Sequence, residues 1–136
     1  MTATHTRVPK PITLTLPSPP SLNSLYRTAG GRTYKVKKAK DYDAKVRTLF
    51  GHLTPIPEDW DVALEGAWYR PRQTGDLDNA IKQAGDSLQG IAYVNDNQIQ
   101  SIHLTRHDDP QNPRFEVTVS VVGPRAKRRY RKVGGR

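Results

Sequence analysis

Residues 75–98, G-D-L-D-N-A-I-K-Q-A-G-D-S-L-Q-G-I-A-Y-V-N-D-N-Q, decide the fold of this chain. They follow a stretch at 62–70 in which apolar side chains alternate, a pattern that predicts a strand. Apolar residues then recur at helical spacing, which predicts a helix over 78–89 with Asp78 as its N-cap and Gly90 as its C-cap. A short apolar link leads on towards a further strand. A strand, a helix and another strand in succession indicate an α/β fold.

Three aspartates border this strand–helix–strand unit. Asp76 and Asp78 leave the predicted strand as an i, i+2 pair, and such a pair points both carboxylates the same way. Lys82 lies one helical turn beyond Asp78 on the same face, and the apolar link brings Asp96 back towards the first pair. Clustered carboxylates repel one another unless a cation neutralises them, and oxygen-only ligands favour magnesium or manganese. The residues therefore predict a site for a hard divalent metal.

Each of these residues also has a plain structural interpretation when it is considered alone. Asp78 is a common kind of helix cap, and Asp76 and Asp96 are ordinary turn residues. Lys82 has the i, i+4 spacing of a surface ion pair with Asp86. The spacing by itself leaves both interpretations open for every one of them.

The combined pattern of motifs is more specific than any single one. The segment D-L-D-N-x-x-K, another Asp four residues on, and then N-D-N-Q resembles the RusA family of Holliday junction resolvases. The resemblance extends to P-S-P-P-S-L-N-S-L-Y-R and the following G-R-T-Y near the N-terminus, and it spans roughly residues 12–122. The family usually carries two adjacent acids before the final Gln, where this chain has Asn95 and Asp96. The second of the two is the catalytic one, so Asp96 takes its place.

The resemblance implies a magnesium-dependent endodeoxyribonuclease, with manganese as an alternative cofactor. It implies that Asp76, Asp78 and Asp96 hold the metal, and that Lys82 stabilises charge or orients water in the same catalytic set. It further implies a homodimer that resolves four-way DNA junctions by paired cuts in two opposed strands, in recombination and repair. Small resolvases of this kind are often carried by phages and prophages, so we expect a bacterial or host cytoplasm.

Composition narrows the class of protein. The 136 residues suffice for one domain, and the absence of cysteine excludes disulfides and thiolate metal sites. No apolar run approaches the roughly 20 residues of a membrane span, and the N-terminus lacks the core of a signal peptide. We therefore expect a soluble cytoplasmic protein that does not bind membranes.

The net charge of +9 is unevenly distributed along the chain. Residues 27–47 carry +6 and the tail 123–136 carries +7, whereas residues 48–122 carry −6. This polarity suits an enzyme that holds a polyanion and concentrates its carboxylates at one site. A basic tail is equally typical of a disordered solubilising segment, so both interpretations of the tail remain open.

The basic side chains predicted to contact DNA fall into a loop at 21–38, a shoulder beside the acids, and the tail. The loop also contains Tyr26 and Tyr34, which either stack on unpaired bases or anchor the loop. The shoulder either holds the phosphate that is cut or balances the carboxylates. The predicted DNA-binding residues are Arg27, Arg32, Lys35, Lys37, Lys38, Arg70, Arg72, Lys127, Arg128 and Arg129.

The predicted fold class is a single α/β domain with a mixed four-stranded sheet flanked by two main helices. The order is β-α-β-α-β-β, with the first helix at 39–52 and a bulge near Ile99. We expect a flexible leader at 1–10, an endonuclease domain at 11–122 and a disordered basic tail at 123–136. Strand alternation over Phe115–Val121 completes the sheet.

Two other functional classes compete with a nuclease. A non-catalytic DNA-binding or packaging accessory protein would need the basic segments but not the aspartates and Lys82. A metal-dependent phosphatase acting on small molecules would need the aspartates but not the basic loop and tail.

Overall fold

A computed structural model of the chain describes residues 7–20, 26–73 and 77–125. It confirms the predicted class, a mixed α/β domain with a four-stranded sheet and two helices, and it adds a small two-stranded sheet. The elements in chain order are β1 (Ile12–Pro17), β2 (Tyr26–Ala29), β3 (Arg32–Lys35), α1 (Lys37–Phe50), β4 (Trp60–Arg70), α2 (Leu77–Leu88), a 3-10 turn (Asp96–Gln98), β5 (Ile99–Asp108) and β6 (Arg114–Pro124).

The main sheet has the strand order β1-β6-β4-β5. β4 and β5 are parallel, so the chain must cross over between them, and α2 makes that crossover. The other neighbouring strands are antiparallel. The register shifts by one residue where Val62 pairs with Ile99 and Ala63 with Ser101, which confirms the bulge predicted near Ile99.

Both helices pack on one face of the sheet. Alternate residues of β4, including Val62, Leu64 and Trp68, are buried against them, while Glu65 on the other face is exposed. Gly66 leaves room for this packing, because a Cβ atom there would lie 2.7 Å from the ring of Phe115. The helices contribute mainly small or aliphatic side chains and one tyrosine to this core: Ala39, Tyr42, Val46, Ala80, Ala84 and Leu88.

The prediction of a loop at 21–38 is wrong over residues 26–35, where β2 and β3 form an antiparallel hairpin. Gly30 and Gly31 join its strands with φ values of 60° and 75°, as a tight hairpin turn of the I′ type requires. The hairpin is exposed nearly throughout, so it lacks the alternation of apolar and polar residues by which a half-buried strand is recognised.

Three other boundaries differ from the predictions. α2 begins at Leu77, so Asp78 is the second residue of the helix and not its N-cap. α1 begins two residues early, at Lys37, and its Leu49 is 46% exposed. β6 continues to Pro124, which places the last two residues of the strand beyond the predicted end of the domain at Val122. Within the described residues no helix is long and apolar enough to cross a membrane.

Candidate active site and nucleic-acid interface

Asp78 and Lys82 lie on the exposed surface of the first half of α2. A carboxylate in the first turn is favoured there by the partial positive charge of the helix N-terminus. The four-residue spacing puts Lys82 one turn further along the same face. The argument from strand geometry does not hold for Asp78, because it lies on the helix. Asp76 lies outside the described residues.

Asp96 opens the 3-10 turn between α2 and β5 and is exposed. Asn95 caps this turn: its Oδ1 atom accepts a hydrogen bond from the Asn97 N–H at 3.1 Å. An aspartate side chain could accept the same bond, so this cap does not distinguish Asn from Asp at position 95. The cap is structural, and Asp96 alone offers its carboxylate to solvent at this turn.

Gln98 is fully buried beneath the turn and holds it in place. Its Oε1 atom accepts hydrogen bonds from the N–H groups of Val94 and Asn95, at 2.8 and 2.9 Å. Its Nε2 atom lies within hydrogen-bond distance of three backbone carbonyl oxygens before and at the start of β4: Ile56 at 3.3 Å, Pro57 at 2.8 Å and Trp60 at 3.0 Å. The final Gln of the N-D-N-Q motif therefore fixes the segment that carries Asp96, a role that sequence reasoning did not assign.

A cavity of about 200 Å³ brings Lys82, Asp86 and Asp96 to one opening. Its wall also contains Tyr93, whose hydroxyl donates a hydrogen bond to the Gly85 carbonyl oxygen at 2.7 Å. Burial raises the pKa of the Tyr93 hydroxyl, and the nearby charges of Asp96 and Asp86 raise it further. The rest of the wall is apolar, formed by Leu64, Ile81, Ile99 and Ile102.

The backbone of Asp96 is tied to the C-terminal end of α2. Asp78 is in the first turn of this helix, and the Asp96 N–H donates a hydrogen bond at 3.1 Å to the side chain of Gln89, just beyond the last turn. Lys82, one turn beyond Asp78, lines the same opening as Asp96. Within residues 7–20, 26–73 and 77–125, no group of three His, Cys, Asp or Glu side chains could hold a metal ion. Asp76 lies outside these residues.

Asp86 is bound by the hairpin and not by Lys82. The Lys35 Nζ atom lies 3.4 Å from Asp86 Oδ2 and 2.6 Å from Asp43 Oδ2, and the Tyr26 hydroxyl also lies 3.4 Å from Asp86. Burial alone would lower the pKa of the Lys35 ammonium, but the hydrogen bonds and charges of Asp43 and Asp86 outweigh burial and raise it. Lys35 therefore faces inward, although the sequence placed it among the DNA contacts.

The other predicted DNA contacts are divided between exposed and paired positions. Arg27, Arg32, Lys38 and Arg72 are exposed, and Lys37 forms an exposed ion pair with Asp41. The predicted contacts in the tail, Lys127, Arg128 and Arg129, lie outside the described residues.

Arg70 is buried at the end of β4, where its Nε atom forms an ion pair with Asp108 on β5. This hydrogen bond from Arg70 lowers the pKa of the Asp108 carboxyl. The pairing supports the second interpretation of Arg70, that it balances a carboxylate, although that carboxylate is Asp108 and not one of the catalytic candidates.

Arg125 links the end of β6 to the turn that carries Asp96. Its N–H donates to the Asp59 carbonyl oxygen at 2.7 Å, and its guanidinium donates to Asn97 Oδ1 at 2.9 Å. Arg125, the last residue that the structure describes, therefore lies beside the turn that carries Asp96. No periodic signal in the sequence marks this contact, because it joins residues 28 positions apart.

The fold and the site give the class of protein, and comparison with known proteins gives the family. The fold and the site define an α/β domain with exposed carboxylates and a lysine on and beside its second helix. Residues 17–120 match the family described as Endodeoxyribonuclease RusA. The chain therefore belongs to the RusA family of endodeoxyribonucleases, which confirms the resemblance found in its motifs.

Curated relatives come from a phage and from enteric bacteria. A protein of Enterobacteria phage 82 named crossover junction endodeoxyribonuclease is 29% identical over 113 residues, 81% of this chain and 94% of the relative. Relatives of the same name from Escherichia coli K12 and Shigella sonnei have the same identity and coverage.

Proposed function

We propose that this protein is a magnesium-dependent crossover junction endodeoxyribonuclease that resolves four-way DNA junctions by paired cuts. This proposal rests on the observation that Lys82 and Asp96 line one exposed opening, in a chain whose relatives are named crossover junction endodeoxyribonucleases. The activity would serve recombination and repair of bacterial or phage DNA in the cytoplasm. An exposed site suits this substrate, because a duplex is too large to enter a closed cavity.

The donor set fits a hard divalent cation. Asp78 and Asp96 offer only carboxylate oxygens, both are exposed, and Asp76 would add a third such group. Such ligands favour magnesium or manganese over softer metals. When bound, the cation supplies a polarised water and neutralises charge on the phosphate being cut.

Lys82 acts on the charge of the reacting phosphate. Lys82 and Asp96 line the same opening, and both residues are exposed. A compact cation at this position stabilises negative charge that develops on the phosphate oxygens, or holds the attacking water. Asp86 does not neutralise it, because the Asp86 carboxylate is taken by Lys35.

The active form is a homodimer, in which a second copy of the chain carries an equivalent site. The apolar wall next to Asp96, with Ile102 52% exposed, is a surface that such a copy would cover. Two equivalent sites then match the two-fold symmetry of a junction.

Mixing two inactive variants tests whether each of these sites lies within one copy. Asp78→Asn and Asp96→Asn proteins are each inactive alone, and they are coexpressed with different tags and purified as mixed dimers. If the site is shared between copies, the mixed dimer has one intact site and nicks one strand of the junction. If each site lies within one copy, both sites carry a defect and no cleavage returns.

Three substrates separate the proposed function from its competitors. A synthetic four-way junction, a linear duplex of the same sequence and p-nitrophenyl phosphate are each incubated with the wild-type protein and magnesium. We expect symmetric cuts in the junction and little attack on the other two. Binding without cutting would indicate the accessory protein, and release of nitrophenol would indicate a phosphatase.

A further inference from the structure

The β2–β3 hairpin stands apart from the main sheet. It forms a separate two-stranded sheet, and Tyr26, Arg27, Arg32 and Tyr34 on it are all exposed. Two-stranded ribbons are narrow enough to enter a groove of DNA or the opening between its arms. The hairpin, residues 26–35, is called the ribbon below.

The two faces of the ribbon carry different residues. Directly opposed residues in an antiparallel pair point to the same face. Tyr26 opposes Lys35 and Thr28 opposes Thr33, whose Oγ1 atoms lie 3.2 Å apart, so these four share one face. The remaining opposed pairs, Arg27 with Tyr34 and Ala29 with Arg32, occupy the other face.

The first face is fixed to the helices. Lys35 binds Asp43 of α1 and Asp86 of α2, and the Tyr26 hydroxyl points to the same Asp86. The ends of both strands are therefore held against the helix that carries Lys82. For Tyr26, this contact favours anchoring of the hairpin over stacking on a DNA base.

The second face is available to a ligand. Tyr34 is 46% exposed and lies between Arg27 across the ribbon and Arg32 two residues before it. Among the described residues, neither arginine forms an ion pair with a carboxylate. A face that carries one exposed aromatic ring and two arginines combines a surface for base stacking with two groups that can bind phosphate.

We propose that Tyr34 stacks on an unpaired base at the branch point of the DNA, while Arg27 and Arg32 bind the phosphates beside it. This inference rests on the proposed junction substrate, because a branch point interrupts base stacking whereas a continuous duplex offers no open base face. The ribbon would thereby contribute to the choice of junction over duplex. Tyr26 and Lys35 would set its position.

Binding measured without cleavage tests the ribbon. Asp78→Asn serves as the parent, and Tyr34→Leu, Tyr34→Phe and Tyr26→Leu are made in it. The probe is a four-way junction with 2-aminopurine at the branch point, and a duplex of the same sequence is the control. Because stacking on one base contributes about 1–3 kcal/mol, we expect Tyr34→Leu to weaken junction binding by about 5- to 150-fold.

The pattern across the variants decides the outcome. Tyr34→Leu should abolish the 2-aminopurine signal and change duplex affinity little, whereas Tyr34→Phe keeps the ring and should behave as the parent. Tyr26→Leu, the matched tyrosine of the other face, should reduce the signal far less than Tyr34→Leu does, because Lys35 still anchors the ribbon. Unchanged junction affinity in Tyr34→Leu, or an equal loss on junction and duplex, overturns the proposal. Wild-type protein that fails to cut junctions would instead overturn the proposed function, whatever these variants bind.

Discussion

The N–H group of Asn95 donates a hydrogen bond to the Oε1 atom of Gln98, 2.9 Å away, and this bond closes the turn around Asp96. Asn95 and Gln98 cap the turn reciprocally, as in a capping box. Gln98 also joins this turn to the segment that leads into β4. Asp96 is exposed, but the backbone just before it is held by one of the most completely buried polar side chains that the structure describes.

Gln98→Ala should therefore unfold the protein more easily. The change leaves buried backbone groups without partners, which costs about 1–3 kcal/mol per group. We expect the free energy of unfolding, measured in urea, to fall by about 2–4 kcal/mol. Gln89→Ala is the control, because Gln89 makes one bond to the same turn from a partly exposed position. Similar small losses for both variants would show that Gln98 does not hold the turn.

Lys82→Ala should separate metal binding from turnover. The carboxylates remain, so magnesium should bind with nearly its normal affinity. Turnover at saturating magnesium should fall by about 100-fold or more, the size of one lost electrostatic contact to the transition state. The measurements are single-turnover junction cleavage and calorimetric titration with the metal. Normal turnover with a weakened metal affinity would make Lys82 a partner of the acids instead.

Lys35→Met should loosen the ribbon without harming the chemistry. The Lys35 ion pairs with Asp43 and Asp86 are partly buried, so their loss should weaken junction binding and expose the ribbon to proteolysis. The rate of cleavage of bound junction should stay close to normal. Lys40→Met is the control, because Lys40 is exposed on α1 and is not among the predicted DNA contacts. Equal effects of the two variants would contradict an anchoring role for Lys35.

Removal of the tail after Arg125 should weaken DNA binding and leave folding intact. The removed segment carries six basic residues and no acid, and Arg125 keeps its bonds to Asp59 and Asn97. The slope of log affinity against log salt should become shallower by up to about five units, since about 0.9 counterions are released per phosphate neutralised. Truncation after Val122 also removes the end of β6 and should lower stability. An unchanged salt slope after the shorter deletion would show that the tail does not touch DNA.

Periodicity predicted the parts of this fold that are amphipathic. The alternation in β4 and the helical spacing from Leu77 to Leu88 were readable because one face of each is buried. The ribbon was missed because its residues are exposed on both faces, and only Gly30-Gly31 marked its turn. The start of α2 lies one residue before the predicted start, within the one or two residues by which helix ends commonly vary.

The residue types of the candidate site could be predicted from the sequence, but their arrangement could not. The spacing selected Asp78, Lys82 and Asp96 as candidates, but the approach of Asp96 to Lys82 depends on the crossover between β4 and β5, which no local pattern encodes. The inward direction of Lys35 and the burial of Arg70 likewise depend on carboxylates far along the chain, Asp86 and Asp108. The sequence alone therefore could not separate basic side chains that pair with carboxylates of this chain from those that are exposed.

The central claim, that Asp78 and its partner carboxylates support metal-dependent junction cleavage, is tested most directly by Asp78→Asn. Cleavage and binding of one labelled four-way junction are measured in magnesium, with the wild-type protein alongside. We predict that cleavage is lost while binding persists or strengthens, because a ligand of the metal and a charge that repels DNA are both removed. Strong residual cleavage by the purified variant would contradict the account.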